Sequence, residues 1–189
     1  MKLPEAGTKV ERTILKPEQV LAIVNELEEP YATFVLFLAI TGLRVGEAVG
    51  VRWSDMEGTA LHVHRRIYEG KAGEVKTKKS RRTLPLPEEL IDRMKALPSG
   101  DYIFRTRAGS PMNPKNAAHR HLRPALRKLG IHLGGWHDFR HTFTTILLKG
   151  VSAESRFNGS GTRKHEDHNR CLPAHRLRRP EGPVSWNER

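Results

Sequence analysis

This 189-residue chain is short of several residue types, and each shortage closes off a class of protein. A single cysteine cannot build a disulfide scaffold and fits a reducing, cytoplasmic compartment. The longest apolar stretch, YATFVLFLAITG from Tyr31, runs only about a dozen residues. A membrane span needs roughly 20, so this stretch reads as a buried helix and no membrane partner is expected. The opening MKLPEAGTKVERTIL has no apolar run after its basic residue, so no signal peptide is read there. Acidic residues are also scarce: 21 Asp and Glu face 33 Lys and Arg, a formal net charge of +12. That excess points to a polyanionic partner, with a merely solubilising surface as the bland alternative. Tyrosine is the last shortage, with three in the whole chain.

The length suits one domain with an appendage. Composition changes sharply after Gly150. Residues 151–189 hold no Ile, Met or Tyr, only two Leu and two Val, but seven Arg and three Pro. Such a segment buries too little apolar surface to order itself and is expected to be disordered. Its eight Lys and Arg against five Asp and Glu give +3, which leaves +9 on the first 150 residues. The expected division is a leader over 1–12, a folded domain over 13–150 and an atypical tail over 151–189.

Within the domain, PEQVLAIVNELEE opens on Pro17 and spaces Val20, Ile23, Val24 and Leu27 along one helical face. The apolar helix from Tyr31 ends at Gly42, a left-handed cap, and RVGEAVGV resumes as a short helix. TALHVHRRI alternates like a strand, and EVKTKKSRRTLPLP reads as a hairpin arm running into another strand. PEELIDRMKAL is helical from near Pro87. NPKNAAHRHLRPALRKLG is a helix kinked at Pro124 and stopped by Gly130. HDFRHTFTTILLKG puts Phe139, Phe143, Ile146 and Leu147 on one face and stops at Gly150. The fold class is therefore α+β, mostly helical with one small antiparallel sheet.

Three separated basic elements carry the chemistry: TGLRVGE, EVKTKKSRR and WHDFRHT. Arg44 follows a glycine turn, and Glu47 lies within helical reach to orient its guanidinium. His137 and Arg140 are one helical turn apart and share a face. If their helices pack together, Arg44 and Arg140 converge. Two permanently charged, planar guanidiniums suit a phosphodiester under attack, because each can grip non-bridging oxygens and offset the added charge of a pentacoordinate state. His137 can move a proton, and a hairpin lysine can protonate a leaving alkoxide. Each element alone has a duller reading: a surface salt bridge, a helix-capping histidine, a lysine-protected strand edge. Their order and context together carry the weight.

On these boxes the chain resembles the catalytic domain of the tyrosine recombinase, or phage integrase, family, over roughly Thr13 to Gly150. AITGLRVGEAVGVRWSDM resembles its first arginine box, which makes Arg44 the catalytic arginine and Glu47 its companion. VKTKKSRRTLPLP is similar to its lysine hairpin, with Lys76 as the matching lysine. WHDFRHTFTT is similar to its His-x-x-Arg box, mapping onto His137 and Arg140, with His141 in support. Lys78, Lys79, Arg81 and Arg82 are expected to bind DNA. The resemblance implies DNA integration and recombination on double-stranded DNA, with other recombinase subunits as partners and no cofactor or metal. In such a reaction a tyrosine attacks the scissile phosphate and forms a 3′-phosphotyrosyl link, which a 5′-hydroxyl later resolves.

Two departures qualify the likeness. Only a short leader precedes Thr13, where the family carries a helical DNA-clamping domain. The family pattern also continues past the His-Arg box with Leu-Gly-His and a tyrosine nine or ten residues on. Here Tyr31, Tyr68 and Tyr102 all lie upstream. The tail instead holds KHEDHNRCLPAH, whose H-x2-H-x2-C-x3-H spacing matches no strong zinc class. A frameshift explains it better. Back-translated and read one nucleotide downstream, Ser160–Ala174 can encode L-G-H-E-S-M-K-T-T-T-D-V-Y-L-H, which supplies both missing features. The expectation is a recombinase catalytic domain that has lost its nucleophile. The alternatives are a non-catalytic DNA-binding module that modulates an intact recombinase, or an enzyme using a partner subunit's tyrosine.

Overall fold

The structure is a computed structural model and describes residues 14–68, 70–74 and 81–145. Helices α1 (Pro17–Glu26) and α2 (Tyr31–Thr41) pack together. The expected apolar face of α1 is buried through Val20, Ile23 and Val24, joined by Leu21, while Leu27 packs half-buried against the core. Eight of the eleven residues of α2 are buried, because its apolar character runs all the way round. It stops at Gly42, whose φ of 59° is left-handed and whose N–H donates to the Leu38 carbonyl at 2.9 Å. A side chain at Gly42 would also collide with the Phe143 ring, 2.1 Å from where its Cβ would stand. Two constraints thus meet on one glycine.

The short α3 (Val45–Ala48) follows and leads to a 3-10 turn over Trp53–Asp55. Antiparallel strands come next: β1 (Met56–Glu57), β2 (Ala60–Val63), β3 (Arg65–Tyr68), β4 (Lys71–Glu74) and β5 (Arg82–Pro85). They fall into two pieces rather than one sheet. The order β1-β2-β5 forms the first, with Leu61 opposite Leu84, and β3-β4 forms a separate hairpin. The expected single strand TALHVHRRI breaks at His64, where the chain leaves β5 as a partner and takes up β4.

Helix α4 (Glu88–Lys95) buries Leu90, Ile91 and Met94 and packs on α2. Then α5 (Pro114–Ala117), a π segment (Ala118–Leu122) and α6 (Arg123–Lys128) run on as one helical stretch. Just before Pro124, where the sequence leads us to expect a kink, the helix carries that π segment. The Arg123 N–H reaches five residues back to the Ala118 carbonyl, widening the helix just before a proline ring that would crowd the preceding turn. Gly130, at φ 64°, ends it as expected.

The last described helix, α7 (137–145), begins at His137. Phe139 is fully buried on it, and the Thr142 hydroxyl accepts from the Leu15 N–H at 3.0 Å. The chain has few aromatic residues but spends them centrally. Phe34 meets Phe104 and Trp136 edge-on at 4.8 and 5.1 Å, and Trp136 also neighbours Phe139. The Trp136 indole donates to the Pro114 carbonyl at 2.8 Å, which ties the start of α7 to the start of α5. Ile146, Leu147 and the expected stop at Gly150 lie outside the described residues. No described helix is long and apolar enough to cross a membrane.

Candidate phosphodiester site

The site begins at the turn between α2 and α3. Gly42 reverses the chain, and Arg44, in an extended conformation (φ −66°, ψ 144°), caps α3. Gly46 lets α3 approach β3 closely, since a Cβ there would stand 2.7 Å from the Ile67 carbonyl oxygen. Glu47 is thereby driven inward and its side chain is only 4% exposed. A buried carboxylate needs partners, and both of its oxygens have them. Oε2 accepts from the Arg44 backbone N–H at 3.1 Å and from Arg82 Nη2 at 2.8 Å, while Oε1 accepts from Arg44 Nη1 at 3.3 Å. Burial pushes the Glu47 carboxyl up, but the Arg82 and Arg44 hydrogen bonds outweigh it and hold the group below its ordinary range.

Arg140 enters from α7, and its Nη1 donates to the Gly42 carbonyl. That carbonyl closes the C-terminal end of α2, where unpaired carbonyls and the helix dipole favour a cation. Burial lowers the Arg140 pKa first, and the nearby charge of Arg44 lowers it further, with Arg82 adding to this and Glu47 opposing it. Arg44, Arg82 and Arg140 therefore share one electrostatic environment around one carboxylate. Three positive charges against one negative leave +2. The Arg44 side chain is 59% exposed and presents that charge outward.

Of the residues expected from the sequence, Arg44, Glu47, Arg82 and Arg140 come together. His137 is the exposed first residue of α7, and it and His141 line a groove between α7 and the α5–α6 stretch. Basic Lys115, His119, Arg120 and Arg123 line the same groove. Its floor at the head of α7 is fixed by Asp138, whose Oδ2 accepts from the Gly134 and Gly135 N–H groups. Arg81 is exposed at the foot of β5. Lys76, Lys78 and Lys79 lie outside the described residues, as do the tail's histidines and Cys171. Among the described residues no group of three or more His, Cys, Asp or Glu could hold a metal ion.

The tyrosines are placed elsewhere. Tyr31 stacks on His121 with ring centroids 3.7 Å apart, and Tyr102 accepts a 2.7 Å hydrogen bond from Arg52. Tyr68 ends β3 in an exposed position. What sequence reasoning missed is the role of Arg82. It is expected to bind DNA, and the structure pairs it with Glu47, 35 positions away. No local spacing signals such a contact.

The sequence profile of the phage integrase family matches residues 13–154. The chain belongs to the phage integrase family. A tyrosine recombinase XerC-like protein of Caldanaerobacter subterraneus subsp. tengcongensis is 27% identical over 180 residues, covering 77% of this chain and 46% of that protein. The integrase of Mycobacterium phage D29 is 27% identical over 151 residues, covering 71% of this chain and 40% of the relative. This chain thus spans less than half the length of these two family members. The fold matches the Tn1549 transposon integrase in complex with circular intermediate DNA at a TM-score of 0.65 and 17% identity, over 82% of this chain and 65% of that one. It matches a lambda integrase dimer bound to a core site at a TM-score of 0.60 and 19% identity, over 86% of this chain and 64% of that one. The mixed helical and antiparallel architecture is that of tyrosine recombinase catalytic domains.

Proposed function

We propose that residues 13–150 of this integrase-family chain form a DNA-binding catalytic domain that grips a phosphodiester through Arg44 and Arg140 but has lost its own nucleophile. One observation carries the reading. Arg140 and Arg44 come from boxes far apart in sequence, yet Arg140 donates to the carbonyl of Gly42, two residues before Arg44, and after burial the charge of Arg44 is the next cause that lowers the Arg140 pKa. Bringing like charges together is unfavourable alone and favourable around a phosphate. His137 and His141 supply proton-transfer and hydrogen-bonding groups beside them, and Lys76 of the hairpin is the acid for the leaving 5′-oxygen. Arg81, Lys78 and Lys79 add to the DNA-facing charge. DNA complexes among the family's solved structures and the +9 of the first 150 residues support double-stranded DNA as the ligand.

The nucleophile is the weak point of the domain. Tyr31 and Tyr102 are engaged by His121 and Arg52, and no tyrosine follows Arg140 in the chain. A nicked suicide substrate, which traps phosphotyrosyl adducts in active recombinases, should give none with this chain. An adduct mapping to Tyr31, Tyr68 or Tyr102 would overturn the proposal. Mixing with an intact homologue separates the remaining readings: inhibition marks a modulating module, complementation a borrowed tyrosine. DNA affinity should fall steeply with salt as phosphate contacts release counterions. The gene itself tests the origin of the tail. The frameshift requires Thr162 as ACA and Leu172 as TTA or CTA, and a CTG at Leu172 would discard it.

A further inference from the structure

Glu47 has two oxygens and, at its position, two arginine side chains to satisfy. Arg82, from the first residue of β5, takes Oε2 at 2.8 Å, and the Arg44 guanidinium has only Oε1, through one longer bond of 3.3 Å. A carboxylate without a competitor closes on a guanidinium through two parallel bonds, which is the preferred geometry of such pairs. Here that closure is blocked. Arg44 is tethered on one edge and otherwise faces solvent, while Glu47 is almost fully covered.

We propose that Arg82 is a positioning residue: by occupying Oε2 of Glu47 it keeps the Arg44 guanidinium turned outward and available to a phosphodiester. This rests on the reading that Arg44 grips phosphate. Arg82 touches no substrate in this account and acts entirely through Glu47.

A purely structural role for Arg82 and this positioning role predict opposite signs. Phenylglyoxal modifies accessible arginines, and its rate at Arg44 can be followed by peptide mass mapping without any DNA. In Arg82→Gln, Glu47 is free to draw Arg44 inward, so modification of Arg44 should slow several-fold. Adding Glu47→Gln should restore the rate, because a neutral amide no longer pulls. Faster modification in Arg82→Gln would mean that the site had merely loosened, and would overturn the proposal. Arg82→Lys, which keeps the charge on Oε2, should stay near the parent rate and guards against misreading a folding defect.

A second arm uses a fluorescent DNA duplex at low salt. Arg44→Gln should weaken binding by about tenfold, the loss of one charge-assisted contact. Arg82→Gln should weaken it comparably, and the double variant should be no weaker than Arg44→Gln alone. Additive losses, with the salt slope falling by about one, would place Arg82 on the DNA instead and sink the positioning role. If Arg44→Gln leaves binding unchanged, the phosphate-gripping reading itself fails, whatever the modification rates show.

Discussion

The chain builds one device twice, eight residues apart, and only one copy forms part of the proposed site. In RVGE, Glu47 accepts from the backbone N–H of Arg44, and in RWSD, Asp55 accepts from the backbone N–H of Arg52 at 2.9 Å. Both carboxylates are buried, and both take an arginine from a strand downstream: Arg82 for Glu47 and Arg65, at 2.7 Å, for Asp55. The difference lies in the leading arginine. Arg44 faces outward beside Arg140. Arg52 is folded back against the protein, where Nη2 donates to the Tyr102 hydroxyl at 2.7 Å, Nη1 pairs with Asp101 at 3.3 Å, and the guanidinium lies 4.6 Å from the Tyr102 ring centre. The motif makes a rigid turn. Whether that turn becomes a site depends on what the rest of the chain leaves around its arginine.

The sharpest way to break the comparison is to remove each carboxylate. Asp55→Ala strands Arg65, which also contacts His64 at 2.7 Å, and unpins β3 from the 3-10 turn. Losing one partner of a buried pair costs 3–5 kcal/mol. Because Arg65 keeps some exposure, about 2–3 kcal/mol is expected here, read as a lowered urea midpoint. Glu47→Ala should cost less stability, since Arg44 and Arg82 can both turn to water, and should change DNA affinity where Asp55→Ala does not. Equal losses of stability and affinity in the two variants would remove the functional distinction.

Exchanging the arginines tests the same point at a smaller scale. Arg52→Ala should lower stability by about 1–2 kcal/mol through its lost hydrogen bond and aromatic contact, and leave duplex binding within about twofold. Arg44→Ala should do the reverse, with an unfolding midpoint near the parent's and affinity down by about tenfold, or roughly 1.4 kcal/mol. If Arg52→Ala proves to be the variant that weakens DNA binding, the two turns have been assigned the wrong way round.

That distinction was only half visible in the sequence. The glycine turn, the apolar α2 and the Arg44–Glu47 pairing are local, so spacing and composition reveal them. The meeting of Arg140 with Arg44 is conditional in the sequence on their helices packing together, and in the structure Arg140 donates to the Gly42 carbonyl at the end of α2. What stayed hidden is long-range and side-chain specific. Nothing in KKSRRTLP distinguishes Arg82, which turns inward to Glu47, from Arg81 beside it. Nothing in RWSD marks Tyr102 as the hydroxyl that takes Arg52 out of play. The break at His64 was hidden for a related reason, since alternation persists through it while the hydrogen-bonding partner changes from β5 to β4.

A finer cut removes only the Tyr102 hydroxyl. Tyr102→Phe keeps the ring under Arg52 and deletes the acceptor of its 2.7 Å bond. About 1 kcal/mol of stability should go. Arg52 should also become more reactive to phenylglyoxal while Arg44 does not change. A change at Arg44 instead would show that the two turns are coupled, and the view of them as separate devices would fail.

The smallest expected effect is in the acid limb of stability, and it probes Glu47 alone. Its folded-state carboxyl sits below the ordinary value of 4.5, because the Arg82 and Arg44 bonds outweigh the burial that pushes it up. A group held lower in the folded than in the unfolded state contributes its full stability above the unfolded value. That contribution fades as pH falls through the folded value, where both states are protonated. Glu47→Gln has no such group, so the stability gap between parent and variant should be widest near neutral pH and narrow below about 4.5. Urea unfolding of both proteins across this range gives the comparison directly. Curves that stay parallel down to the acid limit would mean that the ionised carboxylate is not what holds Arg44 and Arg82. The contrast between the two turns would then rest on packing rather than on charge.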